Sequence, residues 1–199
     1  VVSLIATVMK FGDRSLLVIS PQSAPTSLLE PVWHSGPAGG DRFQSQKQGV
    51  LVHEHTFYAP QVTRLADGRI VMWGWLKEAR PLAANIAAGW NGALSVPIEV
   101  TLDDDGAPRL APVPELEALR RGHWTLCDLA LAETPTLLDG IAGAALDMTL
   151  ELEMEEGAEV GLLLRCAPDL SEQVTLWIGG HGQELSVERA HAGIEEPSL

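Results

Sequence analysis

Short apolar runs separated by turn residues dominate this sequence. Runs of this kind are typical of β-strands. Residues 61–65 and 69–76 flank Asp67-Gly68, and an Asp-Gly pair between two such runs predicts a β-hairpin. Residues 14–20 form another apolar run, and residues 93–102 alternate up to a turn at 103–106. Runs of this length and spacing are typical of a β-propeller or a β-sandwich, so we predict an all-β fold.

The second half of the chain has a strict alternation of its own. From 146 to 155, leucines and methionines alternate with Asp, Thr and Glu, which predicts a strand with one solvated face. Further strands are predicted at 159–166, 172–178 and 183–189. The acids Glu151, Glu153 and Glu155 are expected to form a solvated strand face. This half is interpreted as antiparallel sheet of a β-sandwich.

One helix is predicted, at 114–121, where proline comes first, acids early, arginines late and Gly122 follows. It is too short for a bundle helix and is interpreted as a connector. We therefore predict three segments: 1–111, a connector at 112–122, and a second domain at 123–199.

Composition narrows the function classes. The 199 residues carry 27 acids and 13 basic residues, a formal charge of −14, which argues against nucleic acid and anionic membranes as partners. A neutral sugar is compatible with this charge. Cys127 and Cys166 are too few for a disulfide framework, and we expect buried thiols. His53 and His55 lack a third ligand, and Asp103–Asp105 suit a solvated turn, so no metal or other cofactor is expected.

The N-terminal residues lack the basic region of a signal peptide, and no run is long enough to cross a bilayer. The chain starts with Val1 rather than Met. We therefore expect a fragment, a processed product or a chain trimmed in the laboratory, from either a cytoplasmic or a secreted protein.

Several short motifs, taken in order, resemble those of glycoside hydrolase family 32, the β-fructosidases that include invertases, levanases and inulinases. The resemblance covers most of the chain, and the motifs are Asp41-Arg42-Phe43, Phe57-Tyr58-Ala59-Pro60-Gln61, Gly68-Arg69, Trp73-Gly74-Trp75, Gly89-Trp90 and Leu94-Ser95-Val96-Pro97. It implies the last blades of a five-bladed β-propeller at 1–111, followed by a partial β-sandwich at 123–199. The chain is thus similar to the C-terminal portion of a family member.

The resemblance also implies retaining hydrolysis of β-fructofuranosidic bonds in sucrose, levan or inulin by two carboxylates. In the family the nucleophile lies in Asn-Asp-Pro, a second Asp in Arg-Asp-Pro, and the acid/base in Glu-Cys. Here no Asp precedes a proline, and Leu126 and Arg165 precede the two cysteines. Thr56 stands where the family usually has an acid. We therefore expect these 199 residues alone to be inactive, with no catalytic residue among them.

Three aromatic residues are predicted to bind substrate. The resemblance implies that Trp75 is a wall of the fructose pocket, where an aromatic face suits the C–H surface of a sugar. Trp73 would share its strand face. The Tyr58 hydroxyl could orient a carboxylate or satisfy a buried backbone group. Trp33, Trp90, Trp124 and Trp177 are expected to be packing residues.

Three functions and one related possibility stay open. The chain could be a portion of a fructoside hydrolase, or a non-catalytic carbohydrate-binding or interaction module derived from one. It could also be a remnant whose unpaired strand edges drive self-association, or a subunit whose missing blades come from a separate chain.

Overall fold

The computed structural model describes residues 3–24, 27–53, 56–77, 80–179, 184–189 and 191–192. The chain is all-β, with thirteen strands, one short α-helix and one 3-10 helix in these ranges. It divides into two compact units, Val1–Ala118 and Leu119–Leu199. Within the described ranges, no helix has the length and apolar character needed to span a membrane.

The first unit begins with an antiparallel sheet in the order β1-β2-β4-β5, with the short β3 beside β2. Its strands are β1 Ser3–Phe11, β2 Arg14–Ala24, β3 Ser27–Leu28, β4 Val32–Pro37 and β5 Lys47–Val50. The predicted run at 14–20 is confirmed and extends four residues further. Alternation along β2 turns Leu16, Val18 and Ser20 to the interior, where each is at most 1% exposed.

The second sheet of this unit has the order β10-β9-β7-β6, with β8 paired to β7. Its strands are β6 Phe57–Arg64, β7 Ile70–Leu76, β8 Ala93–Leu94, β9 Ile98–Leu102 and β10 Pro108–Pro112. The predicted turn at 103–106 is confirmed between β9 and β10.

The Asp67-Gly68 hairpin between β6 and β7 is also confirmed. Gly68 has a φ of 94°, a left-handed conformation that glycine adopts without a steric cost. The Asp67 carboxylate accepts a hydrogen bond of 3.0 Å from the Arg69 amide, which closes the turn. Local chemistry of this kind fixes the register of the two strands.

Residues from both sheets form the core of the first unit. Met9, Leu16 and Val18 come from the first sheet, and Phe57, Ile70, Met72 and Val100 from the second, each no more than 4% exposed. The seven side chains pack as one cluster, so burial of apolar surface holds the two sheets together.

The single strand predicted at 93–102 is in fact two, and that prediction was wrong. Both β8 and β9 pair with β7, but at opposite ends of it. Between them, Ser95 bonds to Gly74: the Gly74 amide donates to the Ser95 hydroxyl at 3.1 Å, and the Ser95 amide donates to the Gly74 carbonyl at 2.8 Å. A side chain thus replaces one rung of the ladder, and regular pairing stops there.

Two corrections concern helices. The predicted helix at 114–121 is a 3-10 helix, Pro114–Leu119. An α-helix, α1, spans Leu82–Ala88, which the sequence analysis did not predict. It follows Pro81 and ends at Gly89, whose φ is 74°. Proline before a helix and glycine after it are common end signals, so this sequence did carry the signature.

The second unit contains a three-stranded antiparallel sheet in the order β11-β12-β13. Its strands are β11 Val160–Leu164, β12 Val174–Gly179 and β13 Glu184–Glu188. The three strands predicted at 159–166, 172–178 and 183–189 are confirmed within the described residues; position 183 lies outside them. Among the described residues of this unit, the only buried positions are Thr175 and Gly179.

The strand predicted at 146–155 is wrong as a sheet strand. No part of this segment pairs with another described strand. Its apolar residues Leu146, Met148, Leu150 and Leu152 are 38–45% exposed. Alternation shows only that a segment is suited to a half-buried sheet, whereas a strand also needs a hydrogen-bonding neighbour.

Candidate functional site

The candidate site lies on β7 at Trp73-Gly74-Trp75. Gly74 points inward, where an added Cβ would lie 2.2 Å from the ring of Phe57, so only glycine fits. The two tryptophans alternate with Gly74 and therefore project from the other side of the strand, as predicted. Trp75 is 37% exposed, whereas Trp73 is half-buried.

Three residues surround the Trp75 indole. The Tyr58 ring meets it edge-on, with 6.5 Å between centroids and 78° between planes. An added Cβ on Gly92 would lie 2.2 Å from Trp75 Nε1, so the backbone approaches the indole closely there. Leu94 is its cross-strand partner. We call Tyr58, Trp75, Gly92 and Leu94 the Trp75 wall.

The sequence left open whether the Tyr58 hydroxyl orients a carboxylate or satisfies a buried backbone group. Its side chain is buried, and its hydroxyl donates to the carbonyl oxygen of Ser20 at 3.1 Å, with that of Pro21 at 3.4 Å. Burial raises the pKa of the Tyr58 phenol, which keeps it neutral. The hydroxyl therefore satisfies buried backbone groups, and the ring supports Trp75.

The neighbouring Ala59 is tied to the same strand. Its amide donates to the Ser20 hydroxyl at 3.1 Å. Ala59 has a φ of 49°, and the register between β6 and β7 shifts there. This β-bulge re-aims the strand so that the rings of Tyr58 and Trp75 meet. The wall thus depends on a link between the two sheets.

Trp90 was expected to be a packing residue, and that expectation was wrong. It is 53% exposed, and the Arg80 guanidinium carbon lies 4.2 Å from the centroid of its ring. Trp124 is exposed as well, at 52%, contrary to the same expectation. Trp33 does pack against the core. Trp177 is 38% exposed, and its indole donates to Glu188 at 3.2 Å.

The carboxylates of Asp67, Glu99 and Glu115 lie close together, but they form an ion-pair network around Arg69. Arg69 contacts Asp67 at 2.7 Å, Glu99 at 3.7 Å and Glu115 through both terminal nitrogens. Hydrogen bonds from Arg69 hold the pKa values of Asp67 and Glu115 below their usual range. Arg69 comes just before β7, and Trp75 lies near the C-terminal end of that strand. Because a strand rises about 3.3 Å per residue, the backbones of Arg69 and Trp75 are about 20 Å apart.

The remaining candidates do not converge on the wall. His53 is exposed, and its partner in the predicted pair, His55, lies outside the described residues. No group of three metal-ligating side chains occurs in the described part of the chain. The acids Glu151, Glu153 and Glu155 are exposed, as predicted. Cys127 and Cys166 are free and exposed, so the expectation of buried thiols was wrong.

The Trp75 wall is partly open to solvent, because Trp75 is 37% exposed. One cavity of about 360 Å³ is lined by residues such as Gly39, Asp41 and Arg42. Another of about 350 Å³ is lined by residues such as Arg165, Cys166 and Gln173. Neither includes a residue of the wall. The arrangement can therefore stack against one face of a planar or ring-shaped ligand.

Several known proteins are similar to this chain in sequence or in structure. Sucrose-6-phosphate hydrolase of Zymomonas mobilis is 26% identical over 191 residues, which are 92% of this chain and 37% of that protein. A sucrose-6-phosphate hydrolase structure from Lactobacillus gasseri matches 98% of the chain and 41% of its own, at 15% identity and a TM-score of 0.67. A variant of fructan 1-exohydrolase IIa from Cichorium intybus, in complex with 1-kestose, matches 92% of the chain and 44% of its own, at 21% identity and a TM-score of 0.64. The chain thus spans about two-fifths of the length of these proteins.

The family model for the glycosyl hydrolases family 32 N-terminal domain matches residues 12–114. That range contains all of the Trp75 wall. The model describes an N-terminal domain, and the placement of the chain in the C-terminal portion of a family member stays a prediction. Because the match takes in 103 of the 199 residues, the chain belongs to glycoside hydrolase family 32.

Proposed function

We propose that this chain is a portion of a retaining β-fructofuranosidase-type hydrolase in which the Trp75 wall binds the fructosyl unit. One observation carries the proposal: Trp75, within the family-matched range, exposes 37% of its surface while Tyr58 and Gly92 fix its indole. A rigid aromatic face stacks on the C–H groups of a neutral sugar with little loss of side-chain entropy.

The fold we propose for 1–111 is the last blades of a five-bladed β-propeller, with a connector at 112–122 and a partial β-sandwich at 123–199. The sheet topology supports the propeller blades. The first unit consists of two antiparallel sheets, each with four main strands in sequential order along the sheet. Propeller blades are four-stranded antiparallel sheets of this type.

The catalytic carboxylates are proposed to come from polypeptide outside these 199 residues. Retaining hydrolysis needs two carboxyl groups about 5–5.5 Å apart on either side of the scissile bond. None of the family's three acidic motifs occurs in the sequence, and Asp67, Glu99 and Glu115 are bound to Arg69. The 199 residues would then orient a fructoside without cleaving it.

The first test is fructose release from sucrose and from levan by the purified chain, with a known invertase as the positive control. We expect release no faster than in the blank. Release at an enzyme-like rate would show that an acid pair within these residues is catalytic, and our placement of the carboxylates would be wrong.

The second candidate is a non-catalytic carbohydrate-binding module derived from such an enzyme. The exposed Trp75 favours it, since an aromatic wall is present although the acidic motifs are absent. Calorimetry with fructose, sucrose and levan tests this candidate. An absence of heat at millimolar sugar would exclude both the module and the sugar-binding role of the wall.

We also propose that the chain associates with itself or with a separate chain that supplies further blades. The outer strands β1, β5, β6 and β10 present unpaired edges within the described sheets, and edges of this kind pair with other strands. The second unit supports the proposal because large apolar side chains such as Leu137 and Leu185 are 83% and 69% exposed. Light scattering that gives the mass of a monomer, 21.3 kDa, across a concentration series would refute self-association.

A further inference from the structure

Trp90 is a further exposed tryptophan of the first unit, besides Trp75. It lies between α1 and β8, in the turn Gly89-Trp90-Asn91-Gly92, and is 53% exposed. The Arg80 guanidinium covers one part of the ring at 4.2 Å from its centroid. A guanidinium stacked on an indole is a favourable cation–π pair, and it restricts the rotation of the indole.

Trp90 is close to the Trp75 wall through the chain itself. Gly92 belongs to the wall, because an added Cβ there would lie 2.2 Å from Trp75 Nε1. Two residues of chain span at most about 7 Å, so the Trp90 backbone lies within that distance of Gly92. The Trp90 backbone therefore lies within about 7 Å of a residue that contacts the Trp75 indole, so a ligand longer than one sugar unit can extend from the wall towards Trp90.

We propose that Trp90, held by Arg80, is a second sugar-binding platform, which takes the unit linked to the fructosyl residue at the Trp75 wall. The ligand class is a neutral oligofructoside of two or more units. This inference rests on the proposed function of the wall, and it adds a residue that determines preference for ligand length.

The chemistry of the platform follows from its residues. The part of the Trp90 indole that Arg80 leaves uncovered offers an apolar face to sugar C–H groups. The exposed Asn91 amide, next in the chain, offers a donor and an acceptor for hydroxyl groups. Apolar faces with a few polar groups at their edges are the usual composition of small-ligand sites.

The experiment compares fructose with 1-kestose by calorimetry on the full 199-residue chain. The dissociation constant of fructose reports on the Trp75 wall alone. The dissociation constant of fructose divided by that of 1-kestose reports on the platform, and a lower ratio means a weaker preference for 1-kestose. We expect Trp90→Ala to weaken 1-kestose binding about tenfold, which corresponds to one stacking interaction of about 1.4 kcal/mol. Fructose binding should change less than about twofold, since one unit reaches only the wall.

Two variants serve as controls. Trp90→Phe keeps an aromatic face and should retain most of the preference for 1-kestose. Leu82→Ala removes an apolar side chain of α1 that is 71% exposed, and it should leave both affinities unchanged. Urea unfolding of each variant checks that the fold is intact.

The outcomes separate the two proposals. If both sugars bind and Trp90→Ala leaves the ratio of their dissociation constants unchanged, the platform is wrong and the wall stands. If Trp90→Ala and Leu82→Ala lower the ratio equally, the effect is structural and the platform is again wrong. If neither sugar binds the unaltered chain, the proposals for the Trp75 wall and for the Trp90 platform are both wrong.

Discussion

The close approach of Gly92 to Trp75 can be tested with a pair of glycines that have the same positive φ. Gly92 and Gly89 both have a φ of 74°. A Cβ on Gly89 would have nothing within 4 Å, whereas a Cβ on Gly92 would lie 2.2 Å from Trp75 Nε1 and 3.0 Å from its Cδ1. Substitution by alanine therefore places a Cβ at positive φ at both positions and causes a steric clash at only one.

The magnitudes follow from these distances. Alanine in the left-handed region costs about 1–2 kcal/mol at either position. Because non-bonded carbons prefer about 3.5 Å, the indole must move about 1.3 Å in Gly92→Ala. Trp75 is 37% exposed, so it can swing outward and lose mainly its edge contact with Tyr58, worth about 0.5–1.5 kcal/mol. We therefore expect Gly92→Ala to be more destabilising than Gly89→Ala by about 0.5–1.5 kcal/mol.

Urea unfolding followed by tryptophan fluorescence measures both quantities. The midpoint at constant m-value gives the difference in free energy of unfolding. Emission of the folded protein should shift to longer wavelength in Gly92→Ala alone, since the displaced indole meets more water. In a Trp75→Ala background the difference between the two glycine variants should vanish, because the clash has lost its partner.

The reasoning would be refuted if the two single variants had equal stability and equal folded-state emission. It would also be refuted if their difference persisted in the Trp75→Ala background. Either result would mean that the Gly92 backbone does not constrain the wall.

Two further predictions concern Gly74 on β7 and Arg69, the residue before that strand. Gly74→Ala should lower the free energy of unfolding by about 1–3 kcal/mol, since its Cβ would meet the ring of Phe57, which is only 4% exposed; the urea midpoint measures this, and an unchanged midpoint would contradict the packing. Arg69 stabilises Asp67 and Glu115 in their charged form, which lowers their pKa values in the folded protein. Its contribution to the free energy of unfolding should therefore be complete above about pH 4–5 and should fall as the pH drops through these lowered pKa values. Urea midpoints between about pH 6 and pH 2 should therefore fall less steeply for Arg69→Gln than for the unaltered chain, and equal slopes would contradict the ion-pair network.

Local features were predictable from the sequence wherever the deciding atoms lie a few residues apart. The Asp67-Gly68 hairpin is one example, since its turn is closed by a bond between Asp67 and the Arg69 amide. The α1 helix is another, because Pro81 and Gly89 mark its ends, although the sequence analysis overlooked them. The absence of Asn-Asp-Pro, Arg-Asp-Pro and Glu-Cys is a property of the sequence alone.

The role of Trp75 as a sugar-binding residue stays a prediction, and its supporting contacts were not predictable from the sequence. The motif resemblance pointed to Trp75, and the structure leaves that residue exposed on β7. The hydrogen bond from Tyr58 to Ser20 joins residues 38 positions apart, and no periodicity encodes it. The exposure of Trp90 likewise depends on where the turn after α1 meets the sheet.

The sequence by itself determined which segments tend to be extended, where tight turns occur and which catalytic motifs are absent, because each depends on residue type and short spacing. The tertiary structure decided which extended segments became strands. Residues 174–179 found neighbours on both sides, whereas 146–155, with the stronger alternation, found none among the described strands. A strand is completed by hydrogen bonds to another part of the chain, and burial follows from that pairing, so neither can be fixed by the segment alone.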